Sequence, residues 1–367
     1  MGQMGLRIGR HLVIRFSAVV LVLLAQIARA AGTSTPPACW SADGSMIVTA
    51  ARLSDENGIY VLDVEGRKRE FIPFPHEVLA LEPASVEGSV YVLARHSDGR
   101  CYLWSASTMG VAARISIRSV YVGDSPSATH FDCSPDGRYV VFASGSGSDI
   151  DLWRIDTVSG EEKRLTSAKG KDCSPSWSPN GKWIAFSSER GGTGGIWVMS
   201  PDGSSVRRIA DGPDRELHPT WSPGSDSIAY LVKGKREGIY IAPISGGKRE
   251  QIAVGGKDYC APVWSSTGKW IAFVYGKNPA NLFCTPVDKA NGWGPYYQTT
   301  FDRAKNLRTD LRAPSWSPTS DRLVFTTFEE GRMSVRVATM TAGHGAVCRD
   351  VYMSPGARVG KSGASGR

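Results

Sequence analysis

The chain has 367 residues, 43 Lys and Arg against 35 Asp and Glu, and a formal charge of +8. Residues 1–30 hold four Arg and residues 353–367 three basic residues, with no acid in either, so the segment between them carries only +1. That leaves no basic footprint for a nucleic acid. The seven cysteines contain no CxxC pair, which removes the usual zinc-ribbon and thioredoxin-like patterns.

Arg7, Arg10 and Arg15 form a basic start, Phe16–Ile27 is an apolar run, and Ala28-Arg29-Ala30 supplies a small-residue cleavage site. The pattern predicts a secretory signal peptide over residues 1–30. The apolar run is shorter than the roughly 20 residues that span a bilayer, so no transmembrane segment is expected in the mature chain. The mature chain begins near Ala31 and is expected to be periplasmic or secreted. Residues 353–367 are rich in Gly, Ser and Ala and read as a disordered tail.

Residues 31–352 read as one domain built from repeats. A Trp-Ser or Cys-Ser pair recurs at Trp40, Cys133, Trp177, Trp221, Trp264 and Trp316, in steps of 93, 44, 44, 43 and 52 residues. Each pair is followed by a Ser-Pro-Asp-Gly-like turn and three more strand-like runs. A period near 44 residues with four strands per unit predicts a β-propeller. The double-length first step hides an unmarked blade, for which residues 77–117 supply the runs VLALEP, SVYVLAR, CYLWSA and AARISI. The fold class expected is therefore all-β, a seven-bladed β-propeller of four-stranded antiparallel blades, with six blades as the alternative. Nine of the eleven Trp recur at repeat positions and are assigned to the core. Trp104 and Trp293 fall outside that pattern. The odd cysteine count leaves at least one thiol unpaired, and Cys133, standing where other blades have Trp, is assigned to packing.

The runs CSPDGRYVVF (133–142), SWSPNGKWIAF (176–186), TWSPGSDSIAY (220–230), VWSSTGKWIAF (263–273) and SWSPTSDRLVF (315–325) resemble the repeat of the TolB β-propeller family, a WD40-like repeat also called PD40. The resemblance implies the propeller fold and a place in the cell envelope. It also suggests docking of an envelope protein such as a peptidoglycan-associated lipoprotein. TolB proteins resemble a six-bladed propeller preceded by an α/β domain, whereas the first repeat here starts almost at the N-terminus. Nothing that belongs to that α/β domain is carried over.

Strands alternate in direction, so the second-to-third-strand loops and the connections between blades share one face. Residues just ahead of each Trp-Ser pair converge on the channel mouth, giving His130, Asp172, Glu216, His218, Asp258, Tyr259, Asp310 and Arg312 as candidate binding residues. Arg308 joins Arg312 in the basic stretch 301–312. Glu216 and His218, two apart on one strand, are a candidate cation pair. A prolyl-oligopeptidase-like enzyme would need a Gly-x-Ser-x-Gly elbow and a further hydrolase domain, and a zincin would need HExxH; neither motif occurs. Oligogalacturonate lyases resemble this propeller too, but they use His-rich metal sites, and here only His130 and His218 fall at the predicted channel. The reading is an exported, non-catalytic propeller that binds a protein or cell-envelope partner and needs no cofactor. The alternative is a polysaccharide lyase or hydrolase using a divalent cation in the channel.

Overall fold

A single four-stranded blade has too little core to stand alone, so the repeats must bury their faces against one another. The computed structural model describes residues 37–353 apart from 54–55, 66–68, 85–88, 108–111, 123–130, 254–260, 277–280, 289–291, 294–296, 299–313, 330–331 and 342–344. Seven antiparallel sheets follow one another as blades 1 to 7, over residues 38–73, 77–114, 131–164, 172–210, 215–253, 263–298 and 315–353. In each, four strands pair in chain order from the inner to the outer edge, so blade 7 closes with its own strand Gly345–Met353. Blade 6 adds Tyr297–Gln298, which pairs with its third strand beside Gly292–Trp293. The unmarked segment is a complete blade. Among the described residues no helix is long and apolar enough to cross a membrane.

The Ser-Pro-Asp-Gly turn is held by its own side chains. Ser134 Oγ donates to Asp136 Oδ1 at 2.5 Å and accepts from Tyr139 N at 2.8 Å, while Asp136 Oδ1 also accepts from Arg138 N at 3.0 Å. Gly137, at φ 70°, takes the left-handed position that closes the turn. Ser178 and Asn180 repeat the device in blade 4, and Ser41 and Asp43 in blade 1. The hydrogen bonds from Ser41 and Ser45 hold the Asp43 carboxyl down at about 2.

Seven apolar clusters lie one at each blade interface, including blade 1 against blade 7 through Trp40, Ile47 and Val337. The ring is closed. The repeated Trp does more than fill space. The indole of Trp221 donates to Ser176 O at 3.0 Å, that of Trp316 to Val263 O at 3.1 Å, and that of Trp40 to Ser315 O at 3.1 Å. Each acceptor is the residue just ahead of the mark in the preceding blade, so the same bond ties 4 to 5, 6 to 7 and 7 to 1. Trp221→Phe keeps most of the apolar contact but loses the bond and leaves the part-buried Ser176 carbonyl without this donor. A stability loss of about 1–2 kcal/mol is expected in chemical denaturation; no measurable loss would assign Trp221 to packing alone. Among the described residues, the cysteines at 39, 101, 133, 173, 284 and 348 form no disulfide.

Candidate functional site: the central channel and its rim

The inner strands are sheet edges, so their unpaired N–H groups would face the channel. Proline, which lacks that donor, is tolerated there, and Pro175, Pro219, Pro262 and Pro314 stand two residues ahead of the mark in four successive blades. The channel has a volume of about 330 Å³ and takes residues from all seven blades: Pro37–Ala38, Leu79–Pro83, Phe131–Asp132, Pro175–Ser176, His218–Thr220, Ala261–Trp264 with Ser266, and Pro314–Trp316. None of these residues is Lys or Arg.

Two carboxylates face this space. Pro83 pairs with Val90 as Cys133 pairs with Val140 and Trp177 with Ile184, so Glu82 and Asp132 occupy one position in adjacent blades, immediately ahead of the mark. Asp132 is held by Trp177 N on Oδ2 and Cys133 N on Oδ1, both at 2.7 Å. Both residues line the channel and are partly buried. Burial pushes Glu82 up to about 8, with the neighbouring Asp132 charge adding to the rise. Burial pushes Asp132 up to about 6 against the pull of its hydrogen bonds. The channel is thus acidic, and its two carboxyls resist simultaneous ionisation.

Of the residues expected from the sequence, His218 lines the channel. A β-bulge between Leu217 and Thr220 places it at φ 53°, where its Nδ1 meets Ser174 Oγ at 2.9 Å and its backbone N donates to Ser187 Oγ at 3.0 Å. Ser174, at φ 52°, sits in the matching bulge of blade 4. The bulge breaks the two-residue alternation that would have put Glu216 and His218 on one face. Glu216 is fully buried and pairs through Oε1 with Arg249 Nη1 at 2.5 Å. Asp172, at the same repeat position in blade 4, is fully buried and pairs through Oδ2 with Arg190 Nη2 at 2.5 Å. Both inner-strand acids are therefore held inside the rim by arginines. Burial pushes Glu216 up to about 7 against the opposing pull of Arg249 and Arg208. His130, Asp258, Tyr259, Arg308, Asp310 and Arg312 lie outside the described residues. Among the described residues no group of three or more His, Cys, Asp or Glu side chains is placed to hold a metal.

The sequence reading missed Glu82 and Asp132. Asp132 directly precedes the Cys133 mark and could have been found by reading that column across the repeats. Glu82 could not, because blade 2 has Pro83 where the others carry Trp or Cys. The same missing anchor misassigned Trp104. Its partner across the strands is Arg114, as Trp153 faces Arg164 and Trp197 faces Arg208, so Trp104 belongs to the repeat pattern after all.

A ring of seven four-stranded blades around an acidic axial channel defines the protein as a β-propeller of channel-bearing type. Its repeats are of the TolB kind: residues 125–238 match the PD40 family, the TolB beta propeller domain. A 55-residue stretch is 40% identical to the Tol-Pal system protein TolB of Francisella tularensis subsp. mediasiatica, covering 15% of this chain and 12% of that protein. The match thus spans about one eighth of the curated relative. Among solved structures, TolB from Acinetobacter baumannii superposes with a TM-score of 0.56 at 16% identity, over 81% of this chain and 71% of that one. Oligogalacturonate lyase from Vibrio parahaemolyticus superposes with a TM-score of 0.62 at 15% identity, over 83% and 89%. At these identities both likenesses concern the fold alone.

Proposed function

We propose that this chain is an exported, non-catalytic propeller that binds a cell-envelope protein by taking a basic segment of it into the mouth of the axial channel. The observation that carries this reading is the channel lining itself, with Glu82 and Asp132 on adjacent blades and no Lys or Arg among the described lining residues. A Lys or Arg side chain entering there meets two carboxyls whose ionisation burial opposes, and it favours the ionised form of both. Binding should therefore release protons near neutral pH. The signal peptide read at residues 1–30 puts the mature chain outside the cytoplasm. The TolB-like repeats make a peptidoglycan-associated lipoprotein the first partner to try. The rim residues His130, Asp172, Glu216, His218, Asp258, Tyr259, Arg308, Asp310 and Arg312 complete the proposed surface, with Asp172 and Glu216 acting through the arginines they hold.

The test is an affinity pull-down from envelope extract, run with wild type and with Glu82→Gln/Asp132→Asn, each with and without chelator. A protein retained by wild type, insensitive to chelator and reduced at least about tenfold by the double substitution is expected, since one well-placed charge pair contributes more than 1.4 kcal/mol. Equal retention by both forms would move the site away from the channel. If nothing is retained, and the purified protein cleaves an acidic oligosaccharide only with a divalent cation, the lyase reading replaces this one.

A further inference from the structure

Three successive blades carry one aromatic device: a Trp on the third strand faces an Arg on the outer strand, as Trp104–Arg114, Trp153–Arg164 and Trp197–Arg208. In blades 3 and 4 a further arginine covers the indole. Arg118, from the connection entering blade 3, lies 3.6 Å from the Trp153 ring centre, and Arg190, from the loop after the second strand of blade 4, lies 5.2 Å from that of Trp197. In blade 2 the same two loops present imidazoles instead. His76, in the entering connection, has its ring centre 4.8 Å from that of Trp104, and His96, after the second strand, lies 5.0 Å from His76.

One planar cation covers the indole in the neighbouring blades, so the second imidazole goes beyond what the repeat supplies; it also packs edge-on against Tyr102, with ring centres 5.8 Å apart. The spacing fits shared coordination: with Zn–N bonds of about 2.1 Å at a tetrahedral angle, two imidazole centres fall about 5 Å apart. Asp98 supplies the orienting group. Its Oδ1 lies 3.4 Å from His96 Nδ1 while Oδ2 accepts from the Tyr102 hydroxyl at 2.9 Å. The His96 tautomer that donates Nδ1–H to this carboxylate leaves Nε2 free as a ligand; the other tautomer accepts from Asp98 N at 3.4 Å. The His96 side chain is 31% exposed, which leaves room for water to complete a coordination sphere around a bound ion.

We propose that His76 and His96 form a rim site for one exchangeable divalent transition ion of the kind that imidazole binds, Zn²⁺ or Cu²⁺, separate from the channel and independent of the partner-binding reading above. Arginine at either position reproduces what the neighbouring blades already carry, so His76→Arg and His96→Arg are variants that suit the fold. Calorimetric titration of the full chain with zinc chloride should show one equivalent bound. Each arginine variant should bind Zn²⁺ roughly tenfold or more weakly, with thermal unfolding of the metal-free protein unchanged. Ca²⁺ and Mg²⁺, which prefer oxygen ligands, should not compete. Cu²⁺ bound here should also quench Trp104, and Trp104→Phe should remove that part of the quench while leaving Cu²⁺ affinity intact. Zinc affinity equal in wild type and both arginine variants, or no uptake by wild type at about 1 mM Zn²⁺, would overturn the site. Should an arginine variant fail to fold, a Cu²⁺ quench identical in wild type and Trp104→Phe overturns it equally.

Discussion

Arg249→Ala is expected to cost about 3 kcal/mol of folding stability at pH 7.5, read by urea or guanidinium denaturation. Glu216 is fully buried, its Oε1 is paired with Arg249 Nη1 at 2.5 Å, and its Oε2 is buried without a partner. Removing the guanidinium takes away that carboxylate's direct counter-ion and leaves the pull of Arg208 against its burial, and breaking a buried pair in this way is strongly destabilising. It also takes the cation from above the Tyr240 ring, 5.2 Å from its centre. The backbone has been shaped to admit this pair: a Cβ on Gly212 would lie 2.7 Å from Arg249 Nη1 and 2.8 Å from Glu216 Oε1. The deficit should shrink toward pH 5, because burial already pushes Glu216 up to about 7 and an unpaired carboxyl can escape its cost by taking a proton. Replacing both partners, as Glu216→Leu/Arg249→Met, removes the charge together with its counter-ion and should recover most of the loss. A single-variant loss below about 1 kcal/mol, or a double variant as unstable as the single, would show that the pair is solvated well enough to contribute little.

The fold was legible because its signals are periodic. Six marks in steps of 93, 44, 44, 43 and 52 residues, each with a turn in which the Ser hydroxyl meets an Asp, Asn or Thr side chain, predict blade count, strand order and the face each loop occupies. The unmarked blade 2 was recovered from strand-like runs alone, and its hydrogen-bonded register, Pro83 opposite Val90, matches the marked blades. The candidate site was less legible, for reasons belonging to particular residues. The bulge that aims His218 at the channel needs a left-handed residue in mid-strand, and a histidine before proline gives no advance sign of one. Asp172 and Glu216 were expected at the channel mouth, but they are fully buried, and their burial depends on Arg190 and Arg249, 18 and 33 residues away. An acid met alone in a sequence looks like a surface group until its counter-ion is located. Glu82 was hidden because its blade lacks the anchor that would have aligned it with Asp132.

The shared position of those two carboxyls has a consequence for stability. Glu82→Gln is expected to flatten the pH dependence of unfolding between about pH 5 and pH 8. In the folded chain Glu82 is pushed from an ordinary 4.5 up to about 8, and Asp132 from 3.8 up to about 6. A carboxyl with a raised pKa holds its proton more tightly in the folded than in the unfolded state, so the folded state binds more protons in this window. Its contribution is complete below about 4.5 and is lost as pH rises through about 8. Wild type should therefore lose stability on going from pH 5 to pH 8. At about 1.4 kcal/mol per pKa unit, and allowing for screening by channel water, the loss from Glu82 is on the order of 3 kcal/mol. Glutamine keeps the shape and cannot ionise. The variant should lie close to wild type at pH 5 and become the more stable of the two by pH 8. Thermal unfolding of both proteins at half-unit intervals decides the matter. Parallel curves from pH 5 to pH 8 would mean that channel water solvates Glu82 as fully as bulk solvent does, and the charge that the channel offers a basic partner would then be ordinary surface charge.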